Sequence, residues 1–273
     1  MNRVNEAQRE YWRTRRAWVE QQEQMDLQLG VFGVAAMDAL QEISNMDVLD
    51  VGCGCGHTTL QLKDRVGDGR VVGVDISDQL LDAARRRNRG EVEFLEADAQ
   101  VDPLRGPYDL IFSRFGVMFF ADPVAAFRNL RAATSEAAKL SFVCWQGPEK
   151  NPWITVPNRA AMSLVELPSR SPDAPDPFSF ADPDRVTEVL QQAGWTNVDI
   201  ESFSTEVTLG GGVDYRLAAL HAYEFSPVKA VVDSNSSLQP GPVIDAMQAA
   251  LKPHEKNGIV KLPGAAWVVT ARA

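Results

Sequence analysis

The chain has 273 residues, 45% apolar and 23% charged, with a formal net charge of −10 and three cysteines. That is enough for one large α/β domain with a real core, while the acidic balance repels phosphate backbones and argues against nucleic acid as the main partner. The low, odd cysteine count argues against a disulfide framework, and no apolar run reaches the ~18 residues that a membrane span needs.

Met1 to Arg16 is polar and charged, with no apolar h-region. No signal peptide is expected there, and a cytoplasmic location is. Residues 3–28 are predicted to form one helix: Val4, Tyr11, Trp18 and Met25 recur every seven residues, with Trp12 and Val19 beside them. This stripe must cover the main domain or another chain, so a homodimer is one expectation.

From Asp47 the rhythm changes. Val48-Leu49-Asp50-Val51 predicts a short strand running into Gly52-Cys53-Gly54-Cys55-Gly56. A helix is expected over Thr58 to Val66, a second strand over Arg70 to Val74 ending at Asp75, and a helix over Asp78 to Arg89 capped by Ser77. The run Arg85, Arg86, Arg87 and Arg89 sits at that helix end, where positive charge complements the helix dipole. Val92 to Leu95 is a third strand, followed by Glu96-Ala97-Asp98-Ala99. Tyr108 to Phe112 is a fourth, Asp122-Pro123 opens a helix, and Leu140 to Trp145 is a fifth strand. The alternation predicts a doubly wound, mostly parallel sheet.

Residues 147–185 differ in composition, with Pro148, Pro152, Pro157, Pro168, Pro172, Pro175 and Pro177. They are read as a cap insertion over the sheet edge, with helical spacing at Ile154 to Val165. Asp182-Pro183 starts a helix through Gln192 that stops at Gly194. A long strand is expected over Val198 to Thr208, helices over about 213–232 and 242–252, and a last strand over Ala266 to Ala271. The whole reads as a single domain: an N-terminal helical lid (1–45), a core (46–146), the cap (147–185) and a C-terminal part with substrate-facing helices (186–273).

Three strand ends carry candidate chemistry. The glycines after the first strand let the backbone turn tightly and approach a ligand with no Cβ in the way, and N–H groups at the following helix start favour an anionic group. A dinucleotide cradle needs G-x-G-x-x-G, which would put its third glycine at position 57; that position is His57. Asp75 at the second strand tip suits both ribose hydroxyls of an adenosine, whether of NAD or of adenosylmethionine, with Ile76 against the adenine. An acid after the third strand accepts from the adenine amino group while the Ala99 N–H donates to the ring. Any one of these is ordinary as a helix cap; their occurrence at three successive strand ends points to a ligand. Cys53, Cys55 and His57 are too few to hold a metal, and none is expected.

Residues 46–145 resemble the class I adenosylmethionine-dependent methyltransferases, within them the broad group that includes ubiquinone and menaquinone C-methyltransferases and many small-molecule methyltransferases. VLDVGCGCG (48–56), GVDIS (73–77) and EADA (96–99) are similar to its first three motifs, YDLIFSRFGVMFF (108–120) to its fourth-strand segment, and FVCW with NPW (142–145, 151–153) to one branch. The resemblance implies a Rossmann-like, seven-stranded sheet with an antiparallel last strand. It implies that Gly52, Gly54 and Asp75 contact S-adenosylmethionine, with Asp98 and Ala99 at its adenine and S-adenosylhomocysteine as product. Asp50, Cys53, Gly56, Ile76 and Ser113 join the expected cofactor residues. YW…WV (11–12, 18–19) is similar to the N-terminal lid of this branch, so Trp12 is expected at the cofactor and Trp18 at the substrate. Such enzymes usually carry a Pro-Gly-Gly-type turn before the fifth strand; this chain has Thr134-Ser135-Glu136-Ala137-Ala138, so the turn there is expected to be built differently.

The expected function is in-line transfer of a methyl group to a small-molecule acceptor. Ser113-Arg114-Phe115-Gly116 lacks the Asn/Asp-Pro-Pro-Tyr/Phe pattern of enzymes that methylate adenine or glutamine amides. Arg114 is a candidate for an acidic group of the substrate or the cofactor carboxylate; Phe115, Phe119 and Trp145 are candidates for the acceptor pocket. His221 is the candidate general base, needed for a hydroxyl or carbon acceptor. Two other readings stay open: a nicotinamide-dependent oxidoreductase and a non-catalytic binding protein on the same fold.

Overall fold

The protein is described by a computed structural model covering residues 5–169 and 176–273. Val4, Pro172 and Pro175 lie outside the described residues. The strands are β1 (Val48–Val51), β2 (Val71–Asp75), β3 (Glu93–Glu96), β4 (Tyr108–Arg114), β5 (Thr134–Trp145), β6 (Thr196–Thr208), β7 (Glu255–Lys256) and β8 (Ile259–Arg272). Along the main sheet their order is β3-β2-β1-β4-β5-β8-β6, with the two-residue β7 paired to β8. The pairs β1–β2, β1–β4, β2–β3 and β4–β5 are parallel, and β8 runs antiparallel to both β5 and β6. The antiparallel last strand thus sits inside the sheet. From β1 the chain winds outward through β2 to β3, then returns to place β4 on the other side of β1. That reversal opens a crevice at the carboxyl ends of β1 and β4, where open α/β sheets bind ligands.

Buried strands read as continuous apolar runs because helices cover both faces. Val48, Leu49 and Val51 in β1, and Leu110, Ile111 and Phe112 in β4, are 0–1% exposed. The local caps act as their residue types require. Ser77 Oγ accepts from Leu80 N at 3.4 Å at the start of the helix Asp78–Arg87, and Asp122 accepts from Ala125 N at 3.0 Å before Pro123–Ala132.

The N-terminal region departs from the single helix expected over 3–28. It forms α1 (Glu6–Arg13), α2 (Ala17–Glu20) and α3 (Gln22–Asp38). Thr14 ends α1 with its hydroxyl donating to the carbonyls of Glu10 and Tyr11 at 3.2 and 3.0 Å, and Gln21 breaks the next turn at φ −116°, ψ 28°. Its last part is core rather than lid: Met25, Leu29, Phe32, Ala36 and Met37 of α3 are buried. The helices α4 (His57–Val66), α5 (Asp78–Arg87) and α6 (Pro123–Ala132) follow, then α7 (Pro152–Met162) and α8 (Pro183–Gln192).

Two further expectations need correction. Residues 134–138 form no turn; they are the first residues of β5, with a register shift between Tyr108 and Leu110 absorbing the irregularity. The helix expected over 213–232 is α9 (Tyr215–Phe225) and α10 (Pro227–Ser234), followed by α11 (Pro240–Leu251). Ser226, held extended at ψ 142° before Pro227, separates the first two. The cap is tied to the sheet by Asn151, fully buried, whose amide donates to the carbonyls of Gln146, Gly147 and Ala265 and whose Oδ1 accepts from Ala265 N.

Candidate functional site

A cavity of about 270 Å³ opens at the carboxyl ends of the parallel strands, roofed by α1 and α2 and walled on the far side by α7 and α9. Gly52 and Gly54, after β1, both have positive φ (66° and 54°). A Cβ on Gly54 would meet no protein atom within 4 Å. The open space there belongs to the cavity, so the backbone can touch a ligand directly.

Asp75, at the tip of β2, lines the same cavity. Its Oδ2 accepts from Gly54 N at 2.8 Å and its Oδ1 from Ser77 N at 2.9 Å. Burial raises its pKa while these backbone donors oppose the rise. The carboxylate therefore ties the glycine turn to β2 and keeps lone pairs for hydroxyl donors. Ile76, Asp98 and Ala99 also line the cavity. Asp98 is already engaged: Asn5 Nδ2 donates to both of its oxygens at 2.9 Å, and Gln100 N donates at 3.0 Å. The N–H of Ala99 has no hydrogen-bond partner among the described residues.

Asp50 and Cys53 complete this floor. Burial pushes the Asp50 carboxyl up to about 7, and Thr59 Oγ1 donates to it at 2.7 Å. Burial and the neighbouring carboxylates of Asp75 and Asp50 raise the Cys53 thiol well above its ordinary value, so it packs as a small apolar group. Two expected cofactor residues do not reach the cavity. Gly56 begins α4, and a Cβ there would meet Phe94 and Ala84 at 2.8 and 2.9 Å, so its smallness serves helix packing. Ser113 is fully buried behind the wall, donating to Val51 O at 2.7 Å and accepting from Gly116 N at 3.1 Å.

The cationic corner is built on α3. Asp26 holds Arg87 at 2.8 Å, Arg114 at 3.1 Å and His57 at 3.4 Å. Arg114 spends Nη2 on Asp26; its Nη1 is buried with no partner among the described residues, and the side chain lines the cavity. It lies on the side of the glycine turn, where it acts electrostatically on Asp50 and Cys55.

Two aromatic walls enclose the rest. On the sheet side Phe115 stacks on Trp145 at 3.8 Å, and Trp145 packs against Trp153 at 5.2 Å. Phe115 itself has φ 61°, a strained value for a bulky residue at a strand end. On the lid side Phe119, Trp12, Trp18 and Phe225 meet edge to face at 5.1, 5.6 and 5.2 Å. His221 continues that wall, 4.9 Å from Phe225. Sequence patterns did not single out Asn5, Gln21, Asp26, Gly116 or Phe225, because each acts through a partner far along the chain. Only the glycine at 116, directly after an apolar strand, left a local sign.

The sequence of residues 48–136 matches the family model for a methyltransferase domain. The malonyl-[acyl-carrier protein] O-methyltransferase of Acetivibrio thermocellus is 39% identical over 104 residues, 38% of this chain and 37% of that one. The demethylmenaquinone methyltransferase of Thermus thermophilus is 35% identical over 119 residues, 42% of this chain and 54% of that one. The chain thus spans less than two thirds of the length of either relative. Among solved structures, the YcgJ protein of Bacillus subtilis superposes with a TM-score of 0.55 at 15% identity, covering 88% of this chain and 97% of that one. The phosphoethanolamine N-methyltransferase 2 of Haemonchus contortus, in complex with phosphomonomethylethanolamine and S-adenosylhomocysteine, gives 0.51 at 15%, covering 88% and 52%. At such identities the likeness speaks for the fold alone. Residues 48–136 are thus similar to a methyltransferase domain, and the sheet built on them shares the fold of these solved structures.

Proposed function

We propose that this protein transfers the methyl group of S-adenosylmethionine to a small-molecule acceptor in the cytoplasm. The observation that carries this reading is the meeting, on one cavity, of the open Gly54 backbone, the Asp75 carboxylate and the free Ala99 N–H. These groups fit an adenosine: Asp75 accepts from the ribose hydroxyls, Ile76 packs on the base, and Ala99 donates to the ring. Arg114 Nη1, unpartnered and beside the glycine turn, suits the cofactor's carboxylate. When bound, the sulfonium supplies an electrophilic methyl group. The chain's own part is to orient the two reactants and to exclude water with the Trp12 and Trp18 lid. The net charge of −10 and the enclosed aromatic walls favour a small acceptor over a nucleic acid. No observation favours a nicotinamide.

S-adenosylhomocysteine at about 100 times its Kd should add roughly 2.7 kcal/mol, raising Tm by about 5–10 °C in a domain of this size. NADH should leave Tm unmoved. The reverse pattern in a thermal melt would sink the assignment.

The lid reading is tested by truncation. Removing residues 1–16 takes away Asn5, Arg9 and Trp12 but spares the buried face of α3. Arg9 donates to Ile76 O at 2.9 Å, so this segment closes directly over the expected adenosine site. The truncated protein should fold and release S-adenosylhomocysteine about tenfold faster, a loss near the energy of one or two good contacts. An unchanged release rate in stopped-flow measurements would exclude a lid role.

A further inference from the structure

The far wall of the cavity carries one polar feature that cofactor binding leaves unused. His221, on α9, is 7% exposed and lines the cavity. Its Nδ1 contacts Gln21 Oε1, and its Nε2 is buried with no partner among the described residues. A carbonyl oxygen only accepts, so the contact with Gln21 places the ring proton on Nδ1 and leaves a bare lone pair on Nε2. Burial keeps the ring neutral, pushing its pKa down to about 4. A buried acceptor without a donor is unfavourable, and such a group in a cavity wall calls for a ligand that donates to it.

The surroundings narrow that ligand. Phe225 packs against His221 at 4.9 Å and continues through Trp18 to Trp12 as one aromatic wall, with Ile154 and Pro157 of α7 lining the same cavity. The cavity's carboxylates, Asp26, Asp50, Asp75 and Asp98, belong to α3 and the strand ends, and Asp26 is already paired with Arg87 and Arg114. The cation Arg114 lies with them. The other cation lining the cavity, Arg15, lies over the Tyr11 ring at 4.4 Å, and the polar partner of His221 is the neutral Gln21.

We propose that the acceptor is an aromatic compound bearing a hydroxyl group, with His221 Nε2 receiving the hydroxyl proton and Gln21 holding the imidazole in the tautomer that does so. This rests on the methyltransferase reading above and names its substrate class. In the reaction a lone pair of the hydroxyl oxygen forms the new bond to the methyl carbon. The sulfur–carbon bond breaks with its electron pair left on sulfur, and the O–H proton moves to His221 Nε2. The positive charge lost by the sulfonium appears on the imidazolium, so the step leaves the net charge of the cavity unchanged. A ring that resists protonation at rest is then charged only as the sulfonium is discharged. His221 is the catalytic residue of this step and Gln21 its positioning residue.

Two measurements test this. First, the 15N chemical shifts of the His221 ring in the wild-type complex with S-adenosylhomocysteine should show a protonated Nδ1 and a bare Nε2 at neutral pH. A proton on Nε2 overturns the proposal. Second, that complex should bind 2-naphthol about tenfold more tightly than 2-methoxynaphthalene, which lacks the donor, and more tightly than 2-naphthoate. His221→Phe and Gln21→Leu should each erase the preference for naphthol over its methyl ether, while their affinity for S-adenosylhomocysteine stays within threefold of wild type. Equal binding of the two probes by wild type, binding of neither at millimolar concentration, a preference for the naphthoate, or a preference that survives in either variant overturns the proposal. Failure of wild type to bind S-adenosylhomocysteine at all would instead strike the underlying methyltransferase reading.

Discussion

Asp75→Ala should weaken S-adenosylhomocysteine binding by about a hundredfold to ten-thousandfold. Two hydroxyl donors to an ionised acceptor contribute roughly 1.5–3 kcal/mol each, and every 1.4 kcal/mol is about tenfold in affinity. The same side chain also receives Gly54 N and Ser77 N at 2.8 and 2.9 Å, so its loss loosens the glycine turn as well. Calorimetric titration of the two proteins reads the effect directly. A dissociation constant within threefold of wild type would mean that the adenosine lies elsewhere. The Tm of the unliganded variant separates loss of contact from loss of fold: burial already works against the charged form of Asp75, so the fold should tolerate its removal better than the ligand does.

Gly116→Ala should act in the opposite order, on the fold first. An added Cβ would lie 2.5 Å from Val51 O, 2.8 Å from Gly52 Cα and 2.9 Å from Ser113 Oγ. Two of these are backbone atoms of the neighbouring strand end and have no rotamer in which to move away. Gly52 makes the reciprocal approach, its own Cβ position lying 2.7 Å from Gly116 Cα. The ends of β1 and β4 therefore touch through two residues without side chains, and that contact sets the width of the crevice. Overpacking of this kind costs about 3 kcal/mol, which lowers Tm by about 6–12 °C in a domain of this size. A melt within 2 °C of wild type would show that the two strand ends yield more easily than their spacing implies. Ser113 belongs to the same device, bridging Val51 O and Gly116 N from behind the cavity wall.

The separation of duties in the cavity follows from charge. Carboxylates and the Arg87, Arg114 and His57 cluster gather where the glycine turn meets α3. The opposite wall is aromatic, with a neutral imidazole. A zwitterionic, sulfonium-bearing cofactor suits the first environment and a flat, uncharged acceptor the second. Asn5 adds a constraint at the end of the cavity proposed for the adenine, since its amide already donates to both oxygens of Asp98. Ligand entry therefore involves the N-terminal segment as well as the strand tips.

The sequence alone determined the strand–helix alternation, the glycine turn after β1, Asp75 at the tip of β2, the caps at Ser77 and Asp122, and the proline-opened helices. Each is a local property: apolar periodicity, a side chain reaching its own backbone, or a fixed φ leaves its mark within a few residues. Only the tertiary structure decided that the N-terminal helix breaks at Thr14 and Gln21, that residues 134–138 are strand, and that the last strand lies between β5 and β6. It alone brought Asn5 to Asp98, Asp26 to Arg114 and Gln21 to His221, pairs separated by 93, 88 and 200 positions. Such pairs are fixed by where the chain's layers pack, and nothing in the residues on either side of each member records the partner it will meet.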